Sequence, residues 1–182
     1  YFWTVCTWNQ HDQQSEWANP QHFRTGALTG EYSTERYPLE KTPIEPAALI
    51  QKAPGHYFID FGKAAFGTVQ FELTSAIDQH AVEVHLGEAL TDKHTIDRTP
   101  QGCIRYRTMT VPLKEGTHWY TVEIPPDPRN TASRTIRMPQ AVGEVLPFRY
   151  CELEHVPAAG EPPRVRQMSV HYPFDETASR FN

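Results

Sequence analysis

Glu88, Asp92 and Asp97 follow one another along a short polar stretch that also holds His85 and His94. Carboxylates gathered on one loop suit calcium, a hard cation that collects several oxygen ligands at once. The stretch lacks the alternating-ligand spacing and the central Gly of an EF-hand loop. The same residues therefore also read as a solvated acidic loop in which Glu88 pairs with a strand arginine, Arg105 or Arg149.

A second chemistry is carbohydrate binding. Sugar rings present apolar C–H faces, so a site for them combines an aromatic platform with a few polar groups. Trp119 sits in the outward register of an alternating segment and could be that platform, or could pack on a neighbouring domain. Arg105, Arg149 and Glu88 are the polar candidates. The planar fork of Arg149 can hold a carboxylate or bind a sugar hydroxyl at the rim of a sheet.

Other chemistries find no support in the spacing. Asp60-Phe61-Gly62 has the letters of a kinase magnesium triplet, but no phosphate loop or catalytic loop accompanies it. Nine histidines are scattered without a His-Glu-x-x-His pattern. Cys6, Cys103 and Cys151 match no zinc spacing and cannot all pair. Cys103 and Cys151 lie in strand-like segments, where a free Cys serves as a small buried hydrophobe. Glycoside hydrolysis needs an acid carboxyl facing a second carboxylate. Glu31, Glu35, Asp60, Glu72 and Glu88 are present, but no pattern sets two of them across a cleft. No catalytic residue is assigned.

These residues must be positioned by strands. Segments at 56–61, 67–75, 80–87, 103–112, 117–124, 133–138, 146–154 and 164–172 alternate apolar and polar residues and end at Gly or Pro. Val69, Phe71 and Leu73 face one way while Gln70, Glu72 and Thr74 face the other. Such one-face burial predicts an all-β antiparallel β-sandwich, a jelly roll of galactose-binding-like type. With 16 prolines and 10 glycines the chain is too punctuated for a helical bundle.

The sandwich is expected over 55–172. Before it lie an aromatic, amide-rich segment and a Pro-rich, partly extended arm, together 1–54, with room for one helical turn near 46–51. Residues 125–132 and 157–163 have the turn chemistry of exposed loops.

The net charge of −5, with Lys and Arg dispersed, offers no phosphate-neutralising stripe, so nucleic acid is not an expected partner. No apolar run approaches the roughly 18 residues of a membrane span, and no signal peptide is visible. That leaves a periplasmic, secreted or cytoplasmic location open.

In order and spacing, several pieces resemble one known family. They are Gly55-His56-Tyr57-Phe58-Ile59-Asp60-Phe61-Gly62-Lys63, Leu86-Gly87-Glu88, residues 100–106, residues 118–124 and Pro147-Phe148-Arg149-Tyr150. Together they look like the β-sandwich region that precedes the catalytic barrel in bacterial α-L-rhamnosidases of glycoside hydrolase family 78. The tail His171-Tyr172-Pro173-Phe174-Asp175 resembles that family's lead-in to its barrel, making 173–182 the start of a linker. The resemblance implies a non-catalytic accessory domain, whose partner is its own downstream (α/α)6 catalytic domain and whose parent cleaves L-rhamnose from glycans. Two alternatives stand beside it: a binding module for rhamnose-containing glycans, with calcium as its cofactor or none, and a structural or oligomerisation domain.

Overall fold

The computed structural model describes residues 1–24, 39–133, 135, 137–158 and 161–171. The expected linker at 173–182, along with Glu31 and Glu35, lies outside the described residues. Two compact units are formed, Tyr1–Arg36 and Tyr37–Asn182.

In the first unit, β1 (Phe2–Trp3) pairs antiparallel with β2 (Gln21–His22). The Asn9 side chain turns the chain between them, its Oδ1 accepting from the amides of His11 and Gln13. Trp3, Trp8, Trp17 and Phe23 stay exposed.

The second unit is built on one long strand. β3 (Glu40–Ile44) and β4 (Ala48–Ala53) lead into β5 (His56–Ser75), which is followed by β6 (Ala81–Gly87) and the small hairpin β7 (Leu90–Asp92) and β8 (Thr95–Ile96). Then come β9 (Tyr106–Pro112), β10 (Gly116–Thr121), the single helical turn α1 (Pro128–Thr131), β11 (Leu146–Glu154) and β12 (Arg164–His171). The main sheet runs β3-β12-β5-β11-β6-β9, with β4 and β10 also on β5, and every pairing is antiparallel.

The first half of β5 pairs with β4 and β11, and its second half with β12 and β10. β5 therefore passes from one layer of the sandwich into the other. Gly62 makes the bend, at φ +82°, a conformation that would strain a side chain. Asp60 caps the bend by accepting the Gly62 amide at 2.7 Å.

Between the layers lie Ile59, Phe61, Val69, Phe71, Val84, Leu86, Phe148 and Leu153. They come from both halves of β5 and from β6 and β11, as alternation requires. Fully burying Phe71 or Phe148 stabilises the fold by about 1.5–3 kcal/mol each. The antiparallel sandwich expected from the alternation is the fold observed.

Several local expectations are corrected. Residues 40–53, assigned to the arm, form β3 and β4 of the sheet, because Ile44, Ala48 and Ile50 have strand partners in β12 and β5. No helical turn forms at 46–51. The segment 133–138 contains no strand among its described residues. Cys103 is exposed in the turn before β9, whereas Cys151 is buried in the core. Asp127, within the supposed exposed loop, is buried.

Candidate functional site

The β7–β8 hairpin lies against the outer face of β5, β11 and β6. Phe58, Glu152 and His85 stand side by side across these three strands in the outward register. Alternation would give them to solvent, yet all three are buried. Ile96 of the hairpin is buried over them, and the His94 ring lies 5.2 Å from that of Phe58. A Cβ on Gly87 would collide with Ile96 Cγ2, so the glycine makes room for the hairpin to approach this closely.

Glu152, fully enclosed, anchors the hairpin. One oxygen accepts the Ile96 amide at 2.6 Å, and the other faces His56 Nε2 at 2.6 Å and Lys52 Nζ at 3.1 Å. Burial alone would raise its titration. The hydrogen bonds from Ile96, His56 and Lys52 outweigh that and hold it below the ordinary glutamate value. Glu154 is held low in the same way, with Arg98 overriding its burial. Burial pushes His85 below the ordinary imidazole value, so the ring is neutral near pH 7.

A second constellation surrounds Asp127. It caps α1 by accepting the Arg129 amide at 2.8 Å, ahead of Pro128 at the first helical position. Its other oxygen meets the guanidinium groups of Arg105, Arg107 and Arg129 at 3.1–3.2 Å. The Arg129 hydrogen bond leads in drawing the Asp127 carboxyl down to about 2. Beside it opens a cleft of about 170 Å³, lined by Phe66, Met138 and Val145 with Arg129, Asn130 and Glu144.

The residues singled out from sequence are dispersed. Glu88 accepts the Arg105 backbone amide at 2.6 Å, while the Arg105 side chain turns to Asp127 and Asn130. Arg149 grips Asp60 through two 2.8 Å bonds and holds that carboxyl below its usual range. The pair joins two neighbouring strands. Asp92 accepts the His94 amide, and Asp97 that of Thr99. Asp92 and Asp97 thus each stabilise a separate local turn, while Glu88 ties its strand end to the chain before β9. The described groups whose ligand atoms converge are instead His56 with Glu152 and Glu154, and Glu83 with Glu154 and His155.

Trp119 stands on the outer face of β10, 41% exposed. Arg166 and Arg164 of β12 lie 4.3 and 5.7 Å from its ring centroid. The register explains this: Trp119 and Arg164 flank Glu72 across three strands, with Thr121, Gln70 and Arg166 in the next row.

Sequence reasoning missed Asp127, Glu152, Glu154 and His56. Only Asp127 carried a local signal, since Asp followed by Pro marks a helix start.

Comparison with known families gives a match to the bacterial α-L-rhamnosidase concanavalin-like domain over residues 50–171. Comparison with curated proteins gives no match. Among solved structures, the chain is similar to an α-L-rhamnosidase from Dictyoglumus thermophilum at 19% identity and TM-score 0.52, covering 74% of this chain and 13% of that one. It is also similar to the Streptomyces avermitilis α-L-rhamnosidase, whose structure holds L-rhamnose, at 21% identity and TM-score 0.50. There the match covers 75% of this chain and 11% of that chain. The chain therefore spans a small fraction of the enzymes it matches, and the likeness in structure is one of fold.

Proposed function

This chain belongs to the family of bacterial α-L-rhamnosidase concanavalin-like domains, and from that membership we propose that it is a non-catalytic accessory sandwich. In an intact α-L-rhamnosidase-like hydrolase it packs on its own (α/α)6 catalytic domain and shapes the rim of the pocket. The observation that carries the reading is that the match is to the concanavalin-like domain, over residues 50–171, and that the chain covers only 13% and 11% of the two rhamnosidases it is similar to. The titration of its carboxylates agrees. The described carboxylates with displaced titration, Asp60, Asp92, Asp127, Glu152 and Glu154, are all displaced downward. A glycosidase acid needs the opposite, a carboxyl kept protonated near neutral pH. Here charge partners and amide donors fix these carboxylates as anions, which suits anchoring and not proton donation. Purified chain 1–182 assayed on an aryl α-L-rhamnoside is expected to give no turnover above background. Turnover that survives repurification overturns the proposal.

A second reading, a rhamnose-glycan binding module, is favoured by the half-exposed Trp119 beside Arg164 and Arg166 and by the mixed polar and apolar cleft at Phe66. Calorimetric titration with L-rhamnose, with and without calcium, separates the two. Saturable heat supports the module. No heat under either condition supports the scaffold, with sugar contact arising only beside the catalytic domain.

A further inference from the structure

We propose that the outer face of β6 and β11 forms a site for a divalent transition-metal ion of the zinc class, held by the converging donors Glu83, Glu154 and His155, with the buried Nε2 of His85, which faces the same two carboxylates, as a further donor. His85 is 2% exposed, and its Nδ1 lies 2.7 Å from the Tyr106 hydroxyl. Its Nε2 is buried without a hydrogen-bond partner, an arrangement that proteins rarely leave uncompensated.

That nitrogen is aimed between two carboxylates, 3.6 Å from Glu154 Oε1 and 3.7 Å from Glu83 Oε2. These separations are too long for hydrogen bonds. They lie close to the distance of about 3.4 Å between two donors of a tetrahedral zinc shell with bonds of about 2.0–2.1 Å.

The strand register assembles the donors. Glu83 and Glu154 are directly opposite on neighbouring strands, and His85 follows Glu83 by two residues on the same face. Like charges facing each other across strands are destabilising, and a cation between them removes the conflict. His155 brings a ring nitrogen within 4.8 Å of both carboxylates. Tyr106 takes the part of an outer partner. If Nδ1 carries the proton and donates it to the phenol oxygen, Nε2 presents its lone pair to the ion.

Two imidazoles with two carboxylates suit zinc better than calcium, which prefers an all-oxygen shell. Arg98 also holds Glu154, but its side chain is 39% exposed and can swing into solvent when the ion enters.

Cobalt(II) titration of chain 1–182, read by the visible absorption of a tetrahedral ion, tests the site, with zinc as competitor. The expected result is saturation at one ion per chain, displacement by zinc, and a loss of affinity of about tenfold or more in E83Q and H155A. R98Q is expected to bind more tightly than the wild type. E83Q and H155A change exposed or half-exposed groups, so their fold is checked independently by circular dichroism. No tetrahedral band in the wild type, or a band of equal affinity in folded E83Q and H155A, overturns the site.

Discussion

Glu152 and Asp127 are both buried carboxylates ringed by cationic groups, and both are held below their ordinary titration range. Their surroundings differ in kind. Glu152 is enclosed under a hairpin with one lysine and one histidine, and with Glu154 and its partner Arg98 close by in the same network. Asp127 faces three arginines and a helix start. The first cluster mixes two carboxylates with Lys52, Arg98 and an imidazole. The second is rich in permanent cations. Two solutions to one problem, pinning irregular chain to a sandwich, thus use different partners: two carboxylates balanced by a lysine and an arginine in one, a single carboxylate shared by three arginines in the other.

Substitution at Glu152 sharpens the comparison most. Glu152→Gln is expected to cost about 3–5 kcal/mol in urea unfolding, because it strands the partly buried Lys52 beside a neutral group. Hydrogen exchange at the Ile96 amide is expected to accelerate with it, since that amide bonds the same side chain. A loss below about 1 kcal/mol would mean that the hairpin is held by Ile96 packing alone.

Asp127→Asn comes next, at about 2 kcal/mol, the equivalent of drawing a carboxyl from 3.8 to about 2. The sign is fixed by the lowered value. Stability from Asp127 is complete above pH 3.8 and is lost as pH falls toward 2. Acid unfolding followed by tryptophan fluorescence is expected to show a shallower dependence in the variant over that window.

The smallest effect is expected at Trp119. Trp119→Ala removes an exposed stacking partner of Arg166, at a cost of about 0.5–1 kcal/mol. A larger loss would show that the outer face of β10 contributes to the core, contrary to its exposure.

The sandwich itself was legible because its inner faces alternate cleanly. Val69, Phe71 and Leu73, and Val82, Val84 and Leu86, each read as one buried row and are one. The outer row failed for the same reason. Phe58, His85 and Glu152 obey the alternation, but they lie on three strands far apart in sequence and one hairpin covers them all, with its Ile96 lying 56 residues from Glu152, and no local pattern records that. Arg149 shows the middle case. Its pairing with a carboxylate was foreseeable from its fork, whereas the identity of the partner, Asp60, depended on which strands adjoin. The supposed arm hid β3 and β4 because prolines at 43 and 46 mark an edge as readily as a linker.

The most direct test of the accessory, non-catalytic reading is a site-resolved carboxyl titration of chain 1–182 by NMR. The account predicts that Asp60, Asp127, Glu152 and Glu154 all titrate below their ordinary values, leaving none protonated near neutral pH. One of these carboxyls titrating near pH 6 or above would place a proton donor in this domain and contradict it.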